Sequence, residues 1–204
     1  MEANLRAGVA IYNAGYYHAA HDAWEDHWLD LERGSDDELF LHGLIQYTAA
    51  VYHARNRNWS GATGLSESAC EYLADLPADY RDVNVGAVRA YLGGLARDPE
   101  RIERGRPPRL EHEGDALDLA DLAFEATAVA AGVLAEELEY DEDAVERAVE
   151  YARADLAAGE ANSRFVGLVF EFVRGDRRGI VAQRLTEHVE RRASRENDVD
   201  GLFE

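Results

Sequence analysis

Lysine is absent from this chain. All 21 basic residues are arginine, set against 41 acidic ones, for a formal net charge of −20 over 204 residues. No clustered basic patch is visible for a phosphate backbone, so nucleic acid is excluded as an expected partner. Cysteine is almost absent. With Cys70 alone there is no intrachain disulfide and no cysteine-cluster zinc site, and the residue is expected to be small, buried and apolar in a reducing compartment. No uninterrupted apolar run approaches the roughly 20 residues of a membrane span. The opening Met1-Glu2-Ala3-Asn4 has neither the positive region nor the apolar core of a secretion signal, so the expected location is the cytoplasm. Glycine-rich phosphate loops, Gly-x-Ser-x-Gly elbows, Cys-His nucleophile pairs and His-Glu-x-x-His are also missing.

The negative charge is not gathered into a tail. Up to Leu138 there are 25 acids against 11 arginines, and beyond it 16 against 10. An even spread argues for a property of the whole surface, in which mutual repulsion and carboxylate hydration keep the protein dissolved in concentrated salt. The expected protein is therefore salt-adapted.

Helical periodicity dominates, and no alternating β-branched run bounded by hairpin turns is found. The pattern predicts about nine helices, near 3–13, 16–33, 36–56, 59–76, 85–98, 116–138, 142–158, 161–174 and 176–193. All four prolines fall between them, Ser35, Asn84 and Asp141 are placed to cap them, and Gly34, Gly159 and Gly175 to stop them. Pro99 to Gly114 reads as a long surface connection. The expected fold class is all-α: an up-and-down bundle of about five helices within residues 1–138, then a C-terminal extension of three helices within 139–204, with a homodimer as the expected assembly. Beyond Arg195, only Leu202 and Phe203 interrupt a polar tail expected to fray.

Two segments stand out. Turning about 100° per residue along the second helix, Tyr17, Trp24, Trp28 and His18 fall within about 60° of His21, and Glu25 at about 40°. Since the apolar stripe must face the protein, His21 and Glu25 are expected to be buried, with Asp22, Asp26 and His27 outside. Leu39 to Ala54 is a run of 16 residues without formal charge in a chain that is 30% charged, which predicts a central buried helix. On it His42, Gln46 and His53 share a face with Gly43, Ala49 and Ala50. Buried without partners, these polar groups would cost a few kcal/mol, so they need hydrogen bonds, water, a metal or a ligand opposite. His112 and His188 are expected at the surface.

Phe/Tyr-x-x-x-His-acid-x-x-Glu-x-x-Trp, present as Tyr17 to Trp28 after Gly15, is followed by Phe40-Leu41-His42-Gly43-Leu44-Ile45-Gln46, by Tyr52-His53 and by Gly61-Ala62. This arrangement resembles the domain of unknown function 309 family over roughly residues 10–75. The resemblance implies an up-and-down helical bundle and a description as a predicted metal-dependent hydrolase, carried onto His21, Glu25, Gln46 and His53. Ala19 stands where that family commonly has Glu, and His42 where it commonly has Gln.

Two functions fit this pattern. In one, His21 and Glu25 clamp a divalent ion, zinc or similar, with His18 or His53 as a third ligand and water in the open position. His21 and Glu25 are then the catalytic residues, with Glu25 as general base instead of ligand in the alternative arrangement, while Gln46, His42, Trp24, Trp28 and Tyr17 line the ligand site for an unidentified small molecule. In the other, the same cluster is a hydrogen-bonded core feature of a binding or assembly module.

Overall fold

A computed structural model describes residues 1–160 and 162–200. Among them the protein is all-α, and the nearest approach to a sheet is a pair of isolated bridges joining His112 to Val83 and Asp115. Of the tail expected to fray beyond Arg195, residues 196–200 instead continue the last helix, and 201–204, with Leu202 and Phe203, lie outside the described residues.

The chain packs as two compact units, Met1–Leu122 and from Ala123 onward, where the sequence reading drew its boundary after Leu138. In the first unit, α1 (Glu2–Asn13) and α2 (Asp22–Leu29) precede α3 (Asp36–Arg55), α4 (Trp59–Leu73) and α5 (Val85–Arg97), and a single turn, α6 (Arg101–Arg104), follows. The second unit holds α7 (Phe124–Glu137), α8 (Glu142–Ala157), α9 (Arg164–Arg174) and α10 (Arg178–Asp200). Here α9, with Phe165, Leu168, Val169, Phe172 and Val173 buried, is packed by the other three.

The uncharged run forms the middle of α3. Ser35 accepts from the Glu38 amide at 3.2 Å, three acids fill the first turn, and His53 and Arg55 sit in the last, so cap and charge both suit the helix dipole. One side of α3 packs on α4, where Gly43 lies so close to Leu73 that an added Cβ would come within 2.5 Å of it. On α1, Gly8 plays the same part for Trp24, whose fully buried indole covers it and donates to the Leu5 carbonyl.

Three expectations are corrected. The second helix begins at Asp22, not near residue 16, because Gly15 at φ +96° ends α1 and the following turn is tightened by bonds from His21 to His18 and from Asp22 to Ala19. Leu119–Asp121 is a separate 3-10 turn, so the helix expected from 116 starts at Phe124. Cys70 is half-buried, lying just beside the Ala62, Ser66, Ala69 and Leu73 stripe that α4 turns inward.

Candidate functional site

The tight turn decides which side chains meet. In i to i+3 geometry, residues three apart eclipse instead of fanning out as on an α-helix. His18 and His21 are bridged by such a bond, their rings stand edge to face with centroids 4.8 Å apart, and the Tyr52 ring of α3 backs His18 at 4.9 Å. Asp22, the first residue of α2, places Oδ1 at 2.9 Å from His21 Nε2. One donor atom from each of His18, His21 and Asp22 lies within 4.8 Å of the others.

Electrostatics tie this group together. His21 Nδ1 is bonded to the His18 carbonyl, so both ring nitrogens face oxygen acceptors. The Asp22 hydrogen bond raises the His21 pKa above its ordinary value; burial works against it, and the charges of Asp22 and Glu25 add to the rise. Glu25 itself is exposed. The expectation that it is buried is corrected, because α2 turns Ala23 and Trp24 inward and leaves Glu25 on its open side.

A second group forms between α2, α3 and α4. His42 stacks on Tyr72 with centroids 3.8 Å apart and leans on Trp28 at 4.6 Å. Its Nε2 lies 3.2 Å from Gln46 Nε2, and its Nδ1 lies 3.4 Å from Glu38 Oε1. Glu38 also accepts from the Trp28 indole at 3.0 Å and from the Gly34 amide at 3.2 Å. Burial would raise the Glu38 pKa, but these donors and His42 hold it below the usual carboxylate range.

The remaining residues are spread around these groups. His53 accepts or shares a hydrogen with Asn58 Nδ2 at 2.8 Å in the turn into α4, and its ring meets the edge of Tyr52. Trp24 is core. Tyr17 packs edge-on against Tyr12 at 5.1 Å, with the Arg55 guanidinium over its face at 5.3 Å. Among the described residues, no hydrogen bond or ion pair joins His21 or Glu25 to His42, Gln46 or His53. The expected single cluster is thus two groups: His18, His21 and Asp22 on one side of α3, and His42 with Gln46 among aromatics.

Sequence reasoning missed Asp22 and Glu38. For Asp22 the signal was present, a carboxylate following a histidine seven residues after Gly15, but it acquires meaning only once the intervening turn is known to be tight. His112 was misplaced at the surface. It is 3% exposed, with Nδ1 at 3.2 Å from Arg6, a partner more than 100 positions away in the chain.

As a donor set, two imidazoles and a carboxylate suit zinc and similar divalent ions. A histidine that ligates a metal usually commits its other ring nitrogen to a carbonyl or carboxylate. His21 Nδ1 is committed in that way to the His18 carbonyl, which leaves Nε2 facing Asp22. The residues fit such an ion.

Residues 5–65 match the family described as Domain of unknown function (DUF309), over the stretch that holds the motifs from Tyr17 to Ala62. An uncharacterized protein of Aquifex aeolicus (strain VF5) is 27% identical over 108 residues. That alignment takes in 53% of this chain and 31% of the relative, so about a third of the relative's length is spanned. Neither name states an activity. No helix among the described residues is long and apolar enough to cross a membrane.

Proposed function

We propose that this chain binds a divalent metal ion of the zinc type through His18, His21 and Asp22, and that its activity is a hydrolysis at that ion. The observation that carries the reading is the convergence of three donor atoms within 4.8 Å on a turn whose backbone fixes the His21 ring. A bound ion of this kind polarises a carbonyl or phosphoryl oxygen and supplies a water of lowered pKa. In this chain His18 and His21 bind through neutral nitrogens, Asp22 offsets the ion's charge, and the Tyr52 ring excludes water from one side of His18. Glu25, exposed one turn along α2 and near enough to raise the proton affinity of His21, is the carboxylate placed to accept a proton. His42 and Gln46 take a structural part in this reading, since stacking between Tyr72 and Trp28 leaves their ring and amide inside the bundle.

The test is elemental analysis of protein purified without chelator, beside His18→Ala and Asp22→Asn variants. Stoichiometric zinc or a similar ion in the parent, lost in both variants while their helical content is retained, is the expected result. Metal-free parent protein that regains no ion on dialysis against zinc overturns the proposal. We propose in addition that the excess of carboxylates over arginines adapts the protein to concentrated salt, and that the chain assembles as a homodimer.

A further inference from the structure

Arginine without a carboxylate is the unexpected feature of a chain with 41 acids and 21 arginines. In the first unit, five arginines fall between residues 97 and 109, and they meet Arg55 from the end of α3 around two adjoining clefts of about 460 and 420 Å3. Arg106 lines both. The carboxylates present are already engaged: Asp98 pairs with Arg104, and Asp118 with Arg109. Arg55, Arg97, Arg101 and Arg106 have no carboxylate within ion-pair distance among the described residues. Arg101 lies across Gly94 and over the Tyr91 ring at 4.7 Å from its centroid.

A second observation points at a ligand. Tyr91 is 8% exposed, lines the first cleft, and its hydroxyl is buried without a hydrogen-bond partner. Leaving such a group unsatisfied is costly unless something accepts from it. The second cleft has fastened walls. Tyr12 and Tyr47 share a hydrogen bond at 2.5 Å, and Tyr12 donates to the Pro108 carbonyl at 3.1 Å. Asn13 donates to the Leu110 and Leu117 carbonyls at 2.8 and 2.9 Å and accepts from the Leu110 amide. The segment bearing Arg106 and Arg109 is thereby held against α1 and α3.

We infer that these clefts bind a small phosphate-bearing molecule, with Arg106 as the shared contact. Guanidinium forks match phosphate oxygens two at a time, and the cleft volumes suit a ligand of metabolite size. The four unpaired cations call for an anion of more than one charge, which a phosphate monoester at neutral pH supplies. The inference is independent of the metal at His18, His21 and Asp22.

Calorimetric titration with glycerol 1-phosphate, with succinate as the carboxylate comparison, tests it at fixed ionic strength and with chelator present. Saturable binding of glycerol 1-phosphate is expected, weakened about tenfold or more by Arg106→Gln and less by Arg106→Lys, which keeps charge but loses the fork. Arg106 is exposed, so both variants should melt with the parent protein. No binding, or binding unchanged in Arg106→Gln, overturns the inference. Equal binding of succinate overturns the phosphate assignment, and a single-stranded oligonucleotide that binds more tightly and is lost in the same variant replaces the small ligand by a nucleic acid.

Discussion

Gly8 sits on α1 beneath the Trp24 ring, at a position where a helix would ordinarily gain about 1 kcal/mol from alanine. The indole occupies the space a Cβ would take, and it belongs to one of the largest fully buried side chains. Moving a packed ring away from α1 costs about 1–3 kcal/mol, so contact outweighs propensity. Gly8→Ala is therefore expected to lower the unfolding free energy in urea, and Gly64→Ala, with open space around its Cβ, to hold or raise it. Equal stability of the two variants would show that the α1 and α2 contact is loose. Some of this scale was legible in the sequence: helical spacing sets Trp24 on the stripe that must face the protein, although it fills the core and lines no ligand site. The identity of its partner did not, because Gly8 has no side chain to reveal which surface covers it. His112 was illegible for a related reason, its burial being set by Arg6 and Val83 at distant places in the chain.

Elements were legible where their signals were local. The caps at Ser35 and Asp141 and the αL stop at Gly175 all act as the sequence implies, because cap and helix lie within a turn of each other. The start of α2 was not, and its consequence is chemical: the tight turn ahead of it sets the His18 ring against His21, whose other neighbour is Asp22, while Glu25 lies exposed one turn on. Between α8 and α10 a polar link went equally unseen. Asp155, 5% exposed, accepts from Ser163 at 2.7 Å and from Arg192 at 2.6 Å, and the Arg192 guanidinium lies over Tyr151 at 4.2 Å. Burial would raise the Asp155 pKa, but Ser163 and Arg192 hold it below the ordinary value. A depressed carboxylate stabilises the folded state above its unfolded pKa of about 3.9 and ceases to do so as pH falls through the lower folded value. The parent protein should therefore lose stability through this acid window, and Asp155→Asn should show a shallower loss there. Arg192→Met strands the carboxylate, at a cost of about 3 kcal/mol, near the low end for a buried pair because Arg192 is partly exposed. A thermal melt of Arg192→Met matching the parent at pH 7 would show the pair to be solvent-screened.

For the whole molecule the governing quantity is the net charge of −20. Like charges on one chain repel at a range set by the Debye length, about 30 Å at 0.01 M salt and about 3 Å at 1 M. At the lower salt each carboxylate is felt across a whole packing unit, and at the higher only by its neighbours. Repulsion opposes compaction, so screening favours the folded and any assembled form. The ion pairs pull the other way, but most are exposed and contribute about 0–1 kcal/mol each, and salt weakens them too. Self-repulsion of the excess carboxylates is thus the larger effect. The melting temperature is expected to rise steadily between 0.01 and 1 M sodium chloride, and to rise nearly as much in sodium sulfate at matched ionic strength if screening is the cause. Sedimentation over the same series tests the proposed homodimer, which is expected to appear as a mass that falls to that of the monomer at low salt. A melting temperature flat across the range would mean that the carboxylates are spaced widely enough to ignore one another even in dilute buffer, and the salt-adaptation proposal would then fail with the charge count unchanged.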